Sequence, residues 1–425
     1  MTLHDLVTHS YETFLHYVMD TRVVLLHPHS RYRSVLVARL LNAPDLQTLY
    51  YAMGADDVNL PAFLSGLAHD LADQHPTFGR NLNLTPGTPG EGDPRLWLDA
   101  LAADLNEWTD EPFLLILDEY DRSDSADDIQ RFIEQLIPML PSHGRLVINS
   151  RTLPRLSWIS LIARRQAVIL KDEQLISENF YGYSKEQDGP QLEVTALGPG
   201  YVSLDGELIT TWEGHLPRLL FFFALDRPTV TRSEICQAFW PELSLEQAVN
   251  VFHVTKRRLH KALGKDVLVH EHGYYRINPA LSVRYDVIDF VGALVKGRAA
   301  SEEEKIGYWQ QAINLYRGPF LQGHDDDWIL ARRVDFRSGY MEAITEMAQA
   351  RYQQGHKEHA LRLYQRALNE DITREDIHRR VIQLFAELGR RSEAAAHYQK
   401  AWKEFRAMGM AFSEETEQLY QQIMS

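Results

Sequence analysis

Over roughly the first 175 residues, short apolar runs alternate with stretches in which apolar positions recur every three or four residues. The runs at 22–26, 46–52, 113–117, 145–148 and 167–170 predict strands, and the patterns at 34–41, 60–74, 96–108 and 126–140 predict helices. Strands alternating with helices predict an α/β domain with a mostly parallel sheet. The segment 76–94, rich in Gly, Pro and Asn, reads as an exposed loop. A polar linker at 178–191 follows, and then the period changes. Strands at 192–196, 201–204 and 208–212 are punctuated by Gly-Pro-Gly and Asp-Gly turns, and three helices and a hairpin come next. From about residue 283 the pattern is helical to the end. The domains expected are 1–177, 192–280 and 281–425, with 178–191 as linker.

The last region repeats itself. Gly355, Ala360, Tyr364 and Ala367 recur as Gly389, Ala394, Tyr398 and Ala401. Every offset is 34 residues, the tetratricopeptide period, with small Ala positions where paired helices approach and Gly at the turn between them.

Composition narrows the class. With 425 residues, 44% hydrophobic and 24% charged, the chain is an ordinary globular protein and not a disordered or fibrous one. No stretch approaches the roughly 18 apolar residues of a membrane span. Residues 1–10 lack the basic and apolar segments of a signal peptide, and a single cysteine, Cys236, can make neither an internal disulfide nor a Cys-rich metal site. These features lead us to expect a cytoplasmic protein with no membrane association. The net charge of −15 is unevenly spread. Residues 1–190 hold 27 acids and 15 bases, whereas residues 191–300 hold 12 of each, and 248–265 hold five bases and no acid. A local basic helix in an acidic chain is a candidate anion footprint.

That helix, predicted over 245–263, opens with Ser244 and Gln247 in capping-box spacing and stops at Gly264. Leu245, Val249, Phe252, Leu259 and Leu263 form its apolar stripe, which Lys256 interrupts. Asn250, Val254, Arg257, Arg258 and Lys261 lie opposite. They offer an amide, an apolar contact for a thymine methyl, forked donors for guanine edges and partners for phosphates. Upstream, Thr231 and Glu234 cap a helix ending before Pro241, so the pair reads as a helix-turn-helix. Downstream, strands at 267–269 and 274–277 flank a hairpin of wing type, placing His270, His272 and Tyr274 as further DNA contacts. With no third ligand near the two histidines, no metal is expected there.

The run RSEICQAFWPELSLEQAVNVFHVTKRRLHKALG, then GYYRIN, then AINLYRGPFLQGHDDDWILARR, resembles the Streptomyces antibiotic regulatory protein family over about residues 192–425. The resemblance implies a winged helix of response-regulator type joined to a bacterial transcriptional activation domain of tetratricopeptide-like helices. It implies binding to double-stranded promoter DNA, often at direct repeats, and recruitment of RNA polymerase. Lys256 departs from the family, which usually has an apolar residue there.

Residues 10–175 resemble a second family, the ATP-binding regulators of MalT type within the STAND signalling ATPases. PFLLILDEYDR is similar to their Walker B strand, which makes Asp118 the magnesium carboxylate and Glu119 its acidic neighbour, and GRLVINSRTLPRL is similar to their sensor strand, ending at Ser150 and Arg151. The phosphate loop departs: residues 28–34 contain no glycine, and Arg33 stands where the lysine belongs, followed by Ser34. A nest of backbone N–H groups closes around phosphate only where β-carbons leave room, and Arg is no substitute for a compact ammonium. Arg33, Ser34, Asp118, Glu119 and Arg151 therefore mark a degenerate nucleotide site.

The expectation is a multidomain α/β plus α protein: a degenerate P-loop-NTPase-like parallel-sheet domain, a winged helix-turn-helix, and a tetratricopeptide-like all-α domain. It is expected to be a sequence-specific transcription regulator and not an enzyme, with no cofactor and no catalytic residue. Promoter DNA and RNA polymerase are the expected partners, together with a homodimer or higher oligomer. The alternative is a nucleotide-driven STAND-type switch in which ATP binding controls assembly.

Overall fold

Apolar runs too short for helices and flanked by polar turns fold as the expected strands in the computed structural model, which describes residues 3–88, 90, 92–178, 181 and 191–424. Most of the expected linker at 178–191 lies outside the described residues. Helix α1 (Leu3–Val18) precedes β1 (Val23–Leu26), α2 (Arg33–Leu41), β2 (Gln47–Ala52), α3 (Leu60–Gln74), α4 (Arg80–Leu84) and α5 (Pro94–Trp108). Then come β3 (Phe113–Asp118), α6 (Asp127–Leu136), β4 (Gly144–Asn149), α7 (Trp158–Ala163), β5 (Ala167–Lys171) and β6 (Gln174–Leu175). The sheet order is β2-β3-β4-β1-β5-β6, parallel except for β6, which turns back on β5. β1 is buried at every residue and β3 at all but its last, as expected of parallel strands covered on both faces.

Two elements here were not foreseen. α1 closes one face of the sheet, with Phe14 and Val18 packed against Val24, Leu36 and Leu40. The 76–94 loop contains the short α4, whose first amides at Asn81 and Leu82 donate to the buried Asp104 carboxylate at 2.7 and 3.0 Å.

The central region starts with β7 (Gln191–Thr195), β8 (Tyr201–Leu204) and β9 (Glu207–Leu208). β9 stops well short of the expected 208–212, because Ile209 to Gly214 turn to enter α8 (Leu216–Leu225). β10 (Val230–Thr231), α9 (Arg232–Phe239), α10 (Leu245–Leu263), β11 (Leu268–Glu271), β12 (Tyr274–Ile277) and β13 (Ser282–Tyr285) follow. β10, β12 and β11 make one sheet, and β13 pairs with β7 at the edge of β8 and β9. β13 thus carries the central region past the expected boundary at 280. The N-terminal and central regions cluster together as one compact unit, residues 1–196 and 200–288.

The second unit comprises 197–199 and 289–425. It contains most of α11 (Asp286–Ala299), then α12 (Lys305–Leu315), α13 (Asp327–Gln353), α14 (Lys357–Glu370), α15 (Glu375–Glu387), α16 (Arg391–Ala407) and α17 (Glu414–Met424). The 34-residue repeat maps onto the pairs α13–α14 and α15–α16. Gly355 and Gly389 take φ of +82° and +75° at the turns, a conformation that glycine adopts without strain. Ala360, Ala367, Ala394 and Ala401 are all buried where neighbouring helices close on one another.

Candidate nucleic-acid interface

α10 begins and ends as its sequence dictates. The Ser244 side chain accepts from the Gln247 amide while the Gln247 side chain returns to the Ser244 amide, and Gly264 takes φ +62°. The buried stripe differs from expectation: it is Ala248, Phe252, Thr255, Leu259 and Leu263, spaced by four, three, four and four. Leu245 is 63% exposed, one turn too early to reach the core. Lys256 lies at the stripe's edge with its ammonium 5.2 Å from the centroid of the Tyr275 ring, and burial lowers its pKa. An aromatic face thus accommodates the base that interrupts the stripe.

Asn250, Val254, Arg257, Arg258 and Lys261 are all exposed on one face of α10. Val254 is 46% exposed, an uncovered apolar side chain among bases. The face is not free of acids, however. Glu213, from the turn before α8, pairs with Lys261 and approaches the Arg258 Nε at 3.6 Å. Nothing in the sequence pattern marks this residue: it is a single acid 48 positions upstream of Lys261, just past the expected strand at 208–212.

The β11–β12 hairpin has a two-residue turn, His272 and Gly273, with φ of +51° and +90°, the pattern of a type I′ turn. His270 and His272 are exposed at its tip. Tyr274 does not join them. It is half-buried, its hydroxyl donates to the Asp124 carbonyl at 2.8 Å, and its ring lies over the Arg155 guanidinium at 5.2 Å. The expectation that Tyr274 contacts DNA is therefore corrected: β12 turns this side chain toward the N-terminal domain. The sequence carried no sign of that contact, which joins residues 150 positions apart.

Arg155 is the centre of this junction. Its side chain is 3% exposed and reaches Asp127 at 2.7 Å and Glu234 at 2.8 Å. Glu234 also closes the capping box of α9 by accepting from the Thr231 amide at 2.7 Å, and Arg227 bridges Glu234 and Glu134 at 3.4 and 3.1 Å. Thr231 donates its hydroxyl to Asp127 at 2.8 Å. The residues that start α9 are therefore also those that hold the N-terminal domain.

The residues expected to mark a degenerate nucleotide site are individually engaged. The loop after β1 wraps around the carboxylate of Asp172, from the β5–β6 turn. Its Oδ1 accepts from the Ser30 hydroxyl at 2.6 Å and from the amides of Arg31 and Tyr32 at 2.9 and 3.2 Å. These are donors of the kind that a phosphate would use. Arg33 folds back onto the Pro28 carbonyl, and Ser34 is exposed in the first turn of α2. Asp118 accepts from Tyr50 at 2.9 Å, from Asn149 at 2.7 Å and from the Glu119 amide at 2.7 Å. Burial and that carboxylate push the Tyr50 phenol up to about 12. Glu119 pairs with Arg122, and Arg151 pairs with Asp121 at 2.9 Å. Beside the loop, burial and the neighbouring His29 and Lys171 lower His27 to about 4, which keeps it neutral.

Among the described residues no group of three or more His, Cys, Asp or Glu side chains is placed to hold a metal ion. No helix among them is long and apolar enough to cross a membrane.

A parallel-sheet domain, a capped helix pair with a basic outer face and a stack of helical repeats together define a multidomain α/β plus α protein. Residues 285–424 match the family described as the bacterial transcriptional activator domain. This match supports the resemblance of the C-terminal region to the Streptomyces antibiotic regulatory protein family. The chain is 28% identical over 177 residues to the regulatory protein AfsR of Streptomyces griseus, a match covering 37% of this chain and 18% of that protein. The chain thus spans less than a fifth of the length of this relative. Among solved structures, Mycobacterium tuberculosis EmbR in complex with a low-affinity phosphopeptide overlaps 55% of this chain and 65% of its own, at 20% identity and a TM-score of 0.46. A STAND signal-transduction ATPase with a tetratricopeptide repeat sensor, from Pyrococcus horikoshii, overlaps 97% and 66% respectively, at 13% identity and a TM-score of 0.27.

Proposed function

We propose that this regulator is a sequence-specific DNA-binding protein of the bacterial cytoplasm. In this reading residues 192–285 act as a winged helix whose α10 enters the major groove. The observation that carries it is the outer face of α10, where Asn250, Val254, Arg257, Arg258 and Lys261 stand exposed together on a helix capped at both ends. A 19-residue helix is about 28 Å long, enough to lie across a groove about 12 Å wide. Arg257 and Arg258 supply forked donors for guanine edges, Asn250 an amide for adenine, and Lys261 a phosphate contact. His270 and His272, at the hairpin tip, touch the neighbouring backbone. The activator domain supplies the protein contact, with RNA polymerase or a second copy of the chain as its partner. The N-terminal domain acts as a scaffold for the reader and not as an ATPase, because its phosphate loop is already filled by Asp172.

Selection of duplexes from a random pool by the full chain tests this, followed by gel shifts of the enriched sequence. The expected result is one enriched motif, bound with strong salt dependence, against which Arg257→Ala loses about 1–3 kcal/mol. Failure of the folded wild-type chain to bind any duplex at low salt would refute the reading.

A further inference from the structure

We propose that Glu213 is an internal competitor for DNA phosphate, which sets how strongly α10 is drawn to any duplex; the inference rests on the DNA-binding reading above. The two bases that Glu213 engages, Lys261 and Arg258, both belong to the exposed face of α10. Its carboxylate therefore stands in for a backbone phosphate while the protein is free.

The turn that presents Glu213 is built for it. The Trp212 indole donates to the Ile209 carbonyl at 3.0 Å, the Gly214 amide donates to the Trp212 carbonyl at 2.8 Å, and Gly214 takes φ +89°. These contacts fold 209–214 tightly and leave the side chain of residue 213 projecting toward α10. The hydrogen bond from Lys261 holds the Glu213 carboxyl below the ordinary carboxylate range, so it is ionised at neutral pH. Glu213 is 44% exposed and Lys261 73% exposed, so water screens the pair and it exchanges readily. A phosphate arriving from the duplex displaces the carboxylate, which then remains beside the DNA as a repelling charge. Glu213 thus removes about one unit from the net positive charge that the face presents.

Removing that charge has a signed consequence. Each added net positive charge at a duplex interface steepens the plot of log affinity against log salt by about 0.9. Full-length Glu213→Gln is therefore expected to bind a mixed-sequence 30-base-pair duplex more tightly than wild type, by roughly threefold to tenfold near 100 mM salt, with the slope steeper by about 0.9. Glu213→Asp, which keeps the charge, should remain within about twofold of wild type. Circular dichroism and melting curves confirm that each variant is folded. If the wild type binds the duplex and Glu213→Gln matches it in both affinity and slope, the inference is overturned. It is equally overturned if Glu213→Asp behaves like Glu213→Gln. If the wild type binds no duplex at any salt, it is the DNA-binding reading itself that falls.

Discussion

Asp172 and Glu213 do the same chemistry in two regions of one chain: each offers a carboxylate to donors that would otherwise attract a phosphate. The donors around Asp172 are a hydroxyl and two backbone amides, held in place by the loop between β1 and α2. Those facing Glu213 are an ammonium and a guanidinium on long exposed side chains. Fixed donors that are part of the fold have nowhere else to turn, so their carboxylate is a structural component. Mobile charged donors in water exchange partners at small cost, since exposed pairs are worth about 0–1 kcal/mol. The loop between β1 and α2 is therefore held by its own carboxylate, whereas in the proposed reading the basic face of α10 is covered only until a stronger anion arrives.

The largest effect is expected at the junction that carries the second region on the first. Arg155 is buried with Asp127 and Glu234, and Arg155→Ala leaves Asp127 without its buried cation and Glu234 with Arg227 alone. Breaking a buried pair from one side costs about 3–5 kcal/mol, to be read from urea unfolding of the full chain. If the junction only aligns the two regions, the folded fraction of the variant should still bind duplex through α10. Loss of stability below about 1 kcal/mol would show that the junction is superficial.

Burial without charge gives a further contrast, in the second unit. His378 and His397 share a hydrogen bond at 3.0 Å, and His378 also meets the Ile372 carbonyl at 2.9 Å. Burial, then His378 and Lys400, lower His397 to about 4, and burial lowers His378. The folded state thus binds these protons more weakly than the unfolded chain, whose histidines titrate near 6.5. Their contribution is complete above pH 6.5 and is lost as pH falls from 6.5 toward 4, by about 3 kcal/mol for His397. Melting temperatures across that window should fall more steeply for wild type than for His397→Gln. Parallel curves would show that the pair does not couple folding to pH.

Next in size is Asp172→Ala. It leaves the Arg31 and Tyr32 amides without their acceptor, at a cost of about 1–3 kcal/mol. Opening the loop should not create an ATPase. Arg33 still occupies the lysine position and no glycine is gained, so phosphate release from magnesium ATP should stay at the level of an Asp118→Ala control. Turnover in either wild type or Asp172→Ala that depends on Asp118 would reverse the assignment of a degenerate site.

Much of this was legible in the residues. Apolar runs marked five strands of the N-terminal sheet, and the 34-residue spacing of Gly and Ala marked the repeats, because buried positions repeat with the period of the element that buries them. Capping residues placed α9 and α10 within a residue of their ends, because those caps satisfy backbone groups locally. What escaped was long-range. Tyr274 was expected at DNA because it follows the exposed hairpin tip, and only the fold shows Asp124 and Arg155 waiting beneath it. Leu245 was expected in the apolar stripe because its spacing fits, but as the first residue of α10 it stays 63% exposed. The absence of glycine from residues 28–34 led to the expectation of a degenerate phosphate loop, but nothing local marked Asp172 as the carboxylate that this loop wraps around. Glu213 was hidden for the same reason: a single acid in a turn has no pattern, and its meaning lies in the two bases opposite.

The smallest expected effect is also the most direct comparison of the two covers. Lys261→Ala should weaken binding to all duplexes alike and flatten the salt slope by about 0.9, as expected of a phosphate contact. In wild type that ammonium must first leave Glu213, so part of its gain on DNA is already offset. In a Glu213→Gln background nothing is offset, and Lys261→Ala should cost more. The difference between the two losses measures the Lys261–Glu213 pair itself, and for an exposed pair it should be about 0.2–1 kcal/mol. The four proteins of this cycle, titrated with one mixed-sequence duplex at one salt concentration, read it directly. A coupling of zero would mean that the pair dissolves in water before DNA arrives and that Glu213 acts only through its charge. A coupling of several kcal/mol would mean that Glu213 is bound to Lys261 as firmly as Asp172 is to its loop, and the contrast between the two carboxylates would disappear.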